Sequence, residues 1–544
     1  MNANNLIRFA FIAILGALLF FPFLGQVHLF DWDEINFAEC AREMIVTKDY
    51  LKVQIDFQPF WEKPPLFIWM QVLSMKLFGI NEYAARFPNA FMGVLTLVSL
   101  YYIGKRVVNE KMGMWWAVLY AGTWLPHFYF KSGIIDPTFN FFIFLAFFQM
   151  HLIRHGKNPF NHALLTGLFL GLAVLTKGPV AILIALLALG SYAILNKGFW
   201  GYPIRYFIII TLMAALPFGL WFLACVIQYG WHYGSWFMIE FIRYQIRLFT
   251  TGDAGHGQPF YYHFIVLLIG CFPASLFLFQ YSKKRTNEAE SSKDFTRWMW
   301  LLFWVTLLLF SIVKTKIVHY SSLCYFPLTY LAALKTAAIA EAEETLKTRV
   351  KVGLVIIGSI LALLIAFLPL VGIYKTSLIP FIQDPFAVAN LSAQVSWGWE
   401  ESLWGFAYLI IIVVSLIWMR KNFIHAMRLL LISTIIILQV TVLHFTPKIE
   451  AYSQRAAIRY FKGFVGKDVY IHVLGYKSYA HYFYAETQPQ NNPKRRDESW
   501  LLKGDVDKPT YFICKITAAE PYKHSKELKL LGEKNGFVFF KRIP

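Results

Sequence analysis

The segment from Asp31 to Trp69 concentrates groups that could do chemistry. Asp33 and Glu34 lie near its start, and the run EKPP occupies residues 62–65 near its end. A carboxylate can take up a proton as a general base, and a lysine can bind a phosphate as a compact positive charge. Such groups suit a reaction on a phosphorylated substrate, and none of them is needed to cross a bilayer.

The start of this segment has the pattern of a helix. Asp31 and Glu34 have the spacing of a capping box, and the apolar residues Phe37, Ala41 and Met44 recur at helical spacing. The pattern predicts an amphipathic helix that lies on the membrane surface with one apolar stripe. Asp33 falls in its first turn, where a carboxylate also stabilises a helix dipole without any catalytic role.

Lys63 precedes two prolines, which suit the first turn of a new helix. A lysine beside a helix N-terminus attracts phosphate. The alternative is an interfacial lysine that buries its stem in the membrane and keeps its charge in water. Both interpretations stay open at this point.

Composition places the chain in a membrane. Of 544 residues, 57% are hydrophobic and only 15% are charged, a balance that would expose large apolar surfaces on a soluble protein. Five scattered cysteines predict neither a disulfide framework nor a cysteine zinc site. The net charge of +19 lies largely in short loops, so no nucleic-acid partner is predicted.

Apolar runs long enough to cross a bilayer predict about thirteen transmembrane helices. They lie near residues 6–24, 84–104, 112–130, 134–153, 161–176, 178–196, 204–229, 260–281, 298–313, 317–336, 350–374, 403–419 and 426–446. With a cytoplasmic N-terminus every cytoplasmic loop is basic, as the positive-inside rule requires. The outer segments are then 25–83, 229–260 and 375–402, and the C-terminus is outside.

The last part of the chain changes character. Alternating apolar runs at 468–474, 510–516 and 537–543 predict strands, and residues 450–464 predict an amphipathic helix. We therefore divide the chain into a transmembrane domain, 1–446, and a small soluble α/β domain, 447–544. The basic charge of the second domain suits contact with anionic lipid head groups or plain solubility.

This topology brings many polar residues to the outer membrane surface. A transporter would instead carry ionisable groups near the midplane and often shows repeated halves. An enzyme acting on a lipid-linked head group needs its groups at the interface, which favours the enzyme over a transporter or lipid flippase. The outer-face set is Asp31, Asp33, Glu34, Arg42, Glu62, Lys63, Lys131, Asp136, Lys177, Arg243, Arg247, Asp253, His256, His263, Lys314, Lys316, His319 and Tyr320.

Several motifs resemble one family. The block DE-x-x-x-AE-x-AREM at 33–44, followed by EKPPL at 62–66, is similar to bacterial polyprenyl-phosphate-sugar glycosyltransferases of the GT-C fold. The lipid A aminoarabinose transferases are the nearest members, and the protein O-mannosyltransferases are more distant. The resemblance continues in D-x-T-x-x-FF at 136–142, LTKGP at 175–179, QPFYY at 258–262 and FS-x-x-K-x-K-x-x-x-Y at 310–320.

The resemblance implies roles for individual residues. Asp33 would activate the acceptor as the catalytic base, and Asp136 would be a second catalytic carboxylate that shapes the sugar or acceptor site. Lys63, Arg247 and Tyr320 would hold the phosphate of the lipid donor.

Further residues are implied with weaker roles. Glu34, Asn36 and Lys177 would contact substrate, and Glu62 and His256 match positions that can bind a structural divalent metal. No cofactor is required. Asn36 departs from the family, which usually has an arginine there, so the resemblance leaves open whether the donor sugar is aminoarabinose and the acceptor lipid A.

The resemblance predicts a multi-pass protein of the bacterial inner membrane with its active site and C-terminal domain in the periplasm. It would move a sugar from undecaprenyl phosphate to an envelope acceptor such as lipid A in one inverting displacement. Its partners would be the lipid-linked donor, a glycolipid or protein acceptor, and membrane lipids. The alternatives are a protein O-glycosyltransferase of the same fold and, from another class, a lipid transporter or flippase.

Overall fold

A computed structural model describes residues 3–198, 202–250, 257–280 and 289–543. The chain begins with an apolar helix and a long loop that carries two further helices and a small antiparallel ribbon. In order these are α1 (Ala3–Phe20), α2 (Asp33–Thr47), β1 (Gln54–Ile55), β2 (Gln58–Pro59) and α3 (Leu66–Phe78). A helix, α3, follows the two prolines after Lys63, which stand directly before it rather than in its first turn.

A bundle of helices follows and forms most of the molecule. Its first half comprises α4 (Glu82–Val107), α5 (Glu110–Ala121), α6 (Trp124–Tyr129), α7 (Asp136–His155), α8 (Pro159–Lys177), α9 (Val180–Leu195), α10 (Ile204–Tyr229), α11 (Trp231–Thr250) and α12 (Tyr262–Gly270), with a 3₁₀ turn at Ala274–Phe279. Two predicted spans are interrupted. Residues 112–130 break between α5 and α6, and 260–281 break before Pro273, which lacks the amide hydrogen that a continuing helix needs.

The second half of the bundle comprises α13 (Glu290–Ile312), α14 (Tyr325–Ala340), α15 (Thr348–Ile373), α16 (Lys375–Leu378), α17 (Pro385–Leu391), α18 (Leu403–Trp418), α19 (Phe423–Val440) and α20 (Thr446–Glu450). Short 3₁₀ turns at Val318–Cys324, Ile379–Phe381 and Trp399–Ser402, and one π turn at Thr441–Phe445, join or extend these helices. The Val318–Cys324 turn carries His319 and Tyr320, which both line the cavity described below.

The described residues contain eight helices that are long and apolar enough to cross a membrane. Three shorter apolar helices accompany them, at Asn5–Phe20, Leu66–Phe78 and Val180–Leu195. A multi-pass helical membrane protein is therefore confirmed. The count of thirteen spans stays a prediction.

The C-terminal part contains a four-stranded sheet with short helices. Its elements are α21 (Arg455–Lys462), β3 (Tyr470–Leu474), α22 (Ala480–Tyr484), α23 (Glu498–Lys503), β4 (Thr510–Lys515), α24 (Glu520–Lys523), β5 (Leu528–Lys534) and β6 (Phe537–Arg542), with 3₁₀ turns at Pro493–Arg496 and Ile516–Ala518. The strand order is β3-β4-β6-β5, with only β3 and β4 parallel. The three predicted strands are present. β5 was not predicted, because it is a largely exposed edge strand with little apolar alternation.

This part packs directly on the first loop. Both contribute to one apolar core that includes Ile35 and Met44 of α2 and Phe483 of α22. Polar contacts add to it: Arg495 and Arg496 both pair with Asp56. The division at residue 446 stays a prediction, but the sequence did not reveal that the two regions share a core.

Helix α2 differs from its prediction in two ways. The capping box does not form, because Glu34 instead accepts a hydrogen bond from the Phe30 amide at 2.9 Å and pairs with Arg86. Residues 34–44 are buried on all sides, so α2 is not a surface helix with one apolar stripe. Some of its polar side chains tolerate burial because they pair, as Arg42 does with Glu39 through two hydrogen bonds of 2.7 Å.

Candidate active site

A cavity of about 700 Å³ opens among the first loop, the turn before α7, the end of α8 and the Val318–Cys324 turn. Polar residues from distant parts of the chain face one another there. Of the residues predicted from the sequence, it is lined by Asp33, Glu34, Asn36, Glu62, Lys63, Asp136, Lys177 and Tyr320.

The two predicted catalytic carboxylates meet at one histidine. Asp33 is the first residue of α2 and Asp136 the first residue of α7. His319 Nε2 lies 3.4 Å from Asp33 Oδ2 and 3.9 Å from Asp136 Oδ2. The Asp33 side chain is 36% exposed and that of Asp136 only 3%, so Asp33 is the carboxylate that a substrate can reach.

Asp136 forms an ion pair with Lys177, the last residue of α8. Both side chains are largely buried, and the Lys177 ammonium also lies 5.1 Å from the centre of the Tyr320 ring. The pair joins two neighbouring helices at their cavity ends. It holds a fixed positive charge beside the tyrosine that was predicted to contact phosphate.

The turn before α7 is held by hydrogen bonds from neighbouring elements. The Asn89 amide of α4 donates to the carbonyls of Ser132 and Ile134, at 2.7 and 2.6 Å. Glu34 accepts from the Gly133 amide at 2.6 Å. These contacts fix the point at which α7 begins and therefore the position of Asp136.

Glu34 acts mainly as a support for the site. Arg86 donates to both of its oxygens, at 2.9 and 2.7 Å, and the amides of Phe30 and Gly133 also bond to it. Burial opposes ionisation of Glu34, but the Arg86 charge and these hydrogen bonds outweigh it and lower the pKa of the carboxyl. Since its oxygens are engaged, the structure favours a positioning role over the predicted contact with substrate.

The two predicted phosphate-binding cations meet at the ring of Tyr244. Lys63 Nζ lies 6.0 Å from the ring centre and the Arg247 guanidinium carbon 5.2 Å from it. Lys63 and Tyr244 line the cavity, whereas Arg247 is exposed on α11 and does not line it. Both cations therefore lie near one aromatic ring, but only Lys63 lines the cavity.

Of the remaining predicted residues, Asn36 and Glu62 lie in the described part of the chain and His256 does not. Asn36 is buried in the cavity wall, and its side-chain oxygen has no hydrogen-bond partner among the residues that the structure describes. An unpaired buried oxygen is costly, so a hydroxyl donor that reached Asn36 would be stabilising. Glu62 also lines the cavity. His256 lies outside the described residues, so the predicted Glu62–His256 metal site stays a prediction.

The C-terminal part contributes one residue to the lining of the cavity, which the sequence did not predict. Lys477 lines it, and its ammonium lies 5.4 Å from the centre of the Trp32 ring. Asp31 lines it too, and burial raises the pKa of that carboxyl despite a hydrogen bond from Ser478. Because the part after residue 446 reaches the cavity, it can contribute to the choice of substrate.

Lys131 lines the cavity as a buried cation with neutral partners. Its ammonium donates to the Pro22 carbonyl at 2.9 Å and to the Gln439 side chain at 3.4 Å. Burial lowers the pKa of Lys131 from the ordinary 10.5 to about 7. An anionic ligand in the cavity would raise this pKa again and favour the charged form of Lys131.

This pKa predicts a pH-dependent effect on stability. Between about pH 7 and pH 10 the unfolded chain holds a proton on Lys131 that the folded chain lacks, so this group makes stability rise with pH. Lys131→Met should therefore raise the apparent Tm relative to the native chain at pH 7, and the advantage should shrink towards pH 10. Thermal unfolding in detergent measures it, with exposed Lys421→Met as the control. An equal difference at both pH values would contradict the prediction.

The sequence predicts that His319 lies at the outer face, but it indicates no role for this residue. Its neighbour Tyr320 ended a recognisable motif, and His319 did not belong to that motif. The only available signal was its position between a motif lysine, Lys316, and that tyrosine. Its contact with two carboxylates far away in sequence required the fold.

Comparison with known proteins finds one matching family model and several named relatives. Residues 62–221 match the family model described as dolichyl-phosphate-mannose-protein mannosyltransferase. The chain is 28% identical over 418 residues to the undecaprenyl phosphate-alpha-4-amino-4-deoxy-L-arabinose arabinosyl transferase of Pectobacterium carotovorum, covering 71% of this chain and 72% of that one. The protein of the same name from Shewanella sediminis is 28% identical over 341 residues, or 61% of this chain and 60% of that one.

Solved structures extend the likeness to the whole chain. The crystal structure of ArnT from Cupriavidus metallidurans bound to undecaprenyl phosphate superposes with a TM-score of 0.75 at 16% identity, covering 100% of this chain and 99% of that one. The chain has the GT-C fold. The resemblance predicted from the sequence motifs, to polyprenyl-phosphate-sugar glycosyltransferases, is thereby confirmed.

Proposed function

We propose that this GT-C protein is a glycosyltransferase that moves a sugar from an undecaprenyl-phosphate donor to an envelope acceptor, with a lipid A-like glycolipid as the first candidate. The observation that carries the proposal is the meeting of Asp33, His319 and the Asp136–Lys177 pair in one cavity with Lys63 and Tyr320. The relatives' names and the undecaprenyl phosphate in the ArnT crystal structure support the donor class.

The reaction would be a single displacement at the anomeric carbon. An acceptor oxygen forms the new bond to that carbon, while the bond from the carbon to the phosphate oxygen of the donor breaks. The acceptor proton passes to Asp33, and undecaprenyl phosphate leaves with the bonding electron pair. One in-line displacement inverts the anomeric centre.

His319 would position the base. Its Nε2 lies within 4 Å of both carboxylates, so it can fix the orientation of Asp33 relative to the buried Asp136–Lys177 pair. It acts through Asp33 rather than on the sugar. Asn36 lines the cavity, and its side-chain oxygen, unpaired among the described residues, would accept a hydrogen bond from a sugar or acceptor hydroxyl.

The donor phosphate would sit beside Lys63, with Arg247 and Tyr320 near it. Hydrogen bonds to charged groups contribute about 1.5–3 kcal/mol each, so Lys63→Ala and Arg247→Ala should each weaken binding of undecaprenyl phosphate by about that amount. The double variant should lose less than the sum, because both cations share one partner. Binding to purified protein in detergent, measured by ligand-induced shifts in Tm, tests this.

Matched controls exist for both substitutions. Lys52 lies 5.9 Å from the Tyr233 ring much as Lys63 lies near Tyr244, but Lys52 does not line the cavity. Arg243 is an exposed arginine one turn before Arg247 and pairs with Glu240. Lys52→Ala and Arg243→Ala should leave binding unchanged. Normal binding by the Lys63 and Arg247 variants, or strictly additive losses, would refute a shared phosphate site.

Acceptor identity distinguishes two candidate functions. Overlap with relatives named for aminoarabinose transfer favours a lipid A-like acceptor. The match of residues 62–221 to a protein mannosyltransferase model favours protein as the second candidate. Mass spectrometry of lipid A, other glycolipids and envelope proteins, from cells with and without this gene, decides between them. The acceptor is the fraction that loses a sugar mass when the gene is removed and regains it on complementation.

The proposed topology places the N-terminus in the cytoplasm and the cavity and C-terminus in the periplasm of the bacterial inner membrane. The reason is that the cytoplasmic loops of this arrangement are basic. A phosphatase that is active only in the periplasm should be active when fused after Ile543. Activity of a cytoplasmic reporter at the same position would mean that the number of spans is even and the cavity faces the other side.

A further inference from the structure

A cluster of metal-binding side chains lies at the opposite end of the bundle from the cavity. His151 and His155 stand one turn apart near the end of α7, and Asp294 stands near the start of α13. At 1.5 Å per helical residue, they are roughly 22–28 Å along α7 from Asp136. The cluster therefore belongs to a different site from the one described above.

The donor atoms have the spacing of ligands to one ion. One atom from each of the three side chains lies within 4.8 Å of the other two. His151 Nδ1 is 3.3 Å and His155 Nε2 3.1 Å from the same oxygen, Asp294 Oδ2. Ligand atoms held tetrahedrally at about 2.0–2.1 Å from zinc are about 3.3 Å apart.

Neighbouring groups hold these ligands in place. Ser291 Oγ lies 3.1 Å from His151 Nε2, so that ring can donate from Nε2 and turn the Nδ1 lone pair towards the cluster. Tyr192 donates to Asp294 Oδ1 at 2.8 Å, which leaves Oδ2 for the histidines. Contacts of this kind orient the ligands of metal sites.

Two arginines are also close. Arg154 and Arg297 approach Asp294 Oδ1 at 3.7 and 3.6 Å. They lie against the oxygen that does not face the histidines, and Arg297 also donates to Asn196 at 2.8 Å. Their charges weaken the attraction for a cation, so the site should bind less tightly than a zinc site without such neighbours.

We propose that His151, His155 and Asp294 bind one divalent first-row transition-metal ion, with Zn²⁺ the best chemical match. Two imidazoles and one carboxylate suit zinc and leave a fourth position for water. The ion would join α7 to α13 at the end of the bundle away from the reaction. Its role is structural, because it lies too far from Asp33 and Asp136 to act on substrate.

The test uses the full-length protein in detergent, stripped with a chelator and titrated with Co²⁺, which absorbs visible light when tetrahedrally bound. The native chain should bind one equivalent at this site, and Zn²⁺ should displace it. His155→Gln changes the most exposed ligand, at 15% side-chain exposure, and should weaken binding about tenfold or more. His162→Gln, on the neighbouring helix α8, is the matched control and should leave binding unchanged.

Repeating the titration with Glu62→Gln distinguishes this site from the predicted Glu62–His256 site. The Glu62→Gln protein should still bind the one metal ion whose binding depends on His155. Asp294→Asn provides a second variant should His155→Gln fail to fold, as judged by monodispersity. A folded native chain that binds no Co²⁺ or Zn²⁺ would overturn the proposal. So would binding that neither His155→Gln nor Asp294→Asn affects, and the cluster would then be a hydrogen-bonded contact between two helices.

Discussion

Asp33→Asn should lower turnover by roughly 10²–10⁴-fold, the usual contribution of a general base, while leaving folding unchanged. The substitution keeps the size of the side chain and removes its charge and proton affinity. Asp33 is the more exposed of the two carboxylates at His319, so it is the one that can reach an acceptor. Transfer by purified protein in lipid vesicles measures the effect.

Two comparisons isolate the role of Asp33. Asp49 is a half-buried carboxylate of the same loop that bonds to Tyr229 and does not line the cavity, so Asp49→Asn should retain turnover. His319→Gln should lower turnover less than Asp33→Asn, because it removes the positioning contact and keeps the base. Near-normal turnover in Asp33→Asn would leave Asp33 with only its stabilising role at the start of α2.

Lys177→Met should destabilise the protein by about 3–5 kcal/mol, because it leaves the Asp136 carboxylate buried without its ion-pair partner. Activity should be lost together with stability. The double variant Asp136→Asn/Lys177→Met removes both charges, so it should recover most of the stability and none of the activity. Thermal unfolding and turnover of the same preparations separate the two effects.

An exposed ion pair serves as the control for this pair. Lys523 pairs with Glu533 in the C-terminal part, where both side chains are partly exposed, so Lys523→Met should change stability by less than about 1 kcal/mol. If Lys177→Met were as stable as the native chain, the pair would not be tightly coupled. If the double variant were no more stable than Lys177→Met, an uncompensated charge would not be the cause.

The features predictable from the sequence were those encoded locally. Runs of apolar residues identified most helices of the bundle, though not α11 or α17, and alternation identified β3, β4 and β6. The motif blocks identified the cavity residues Asp33, Lys63, Asp136, Lys177 and Tyr320. The apolar runs and the alternation are local signals that a single sequence contains, whereas the roles of the cavity residues came from the resemblance to a family.

The features that the sequence did not predict depend on contacts between segments far apart in the chain. His319 touches carboxylates far before it in the chain, and Lys477 reaches the cavity from the C-terminal part. Helix α2 has the polar content of a surface helix, but Arg42 and Glu39 satisfy each other and can be buried. The sequence shows that a charged residue is present in a helix, but it does not show which residue will pair with it.

The most direct test of glycosyl transfer is to follow the donor lipid itself. Purified protein would be incubated in vesicles with undecaprenyl-phosphate sugars extracted from the membranes of its own cells, together with the acceptor fraction. Mass spectrometry should then find one undecaprenyl phosphate released for each sugar gained by the acceptor, with both products absent for Asp33→Asn. A donor that crosses the bilayer with its sugar still attached, with no acceptor gaining mass, would contradict the account and indicate a lipid flippase.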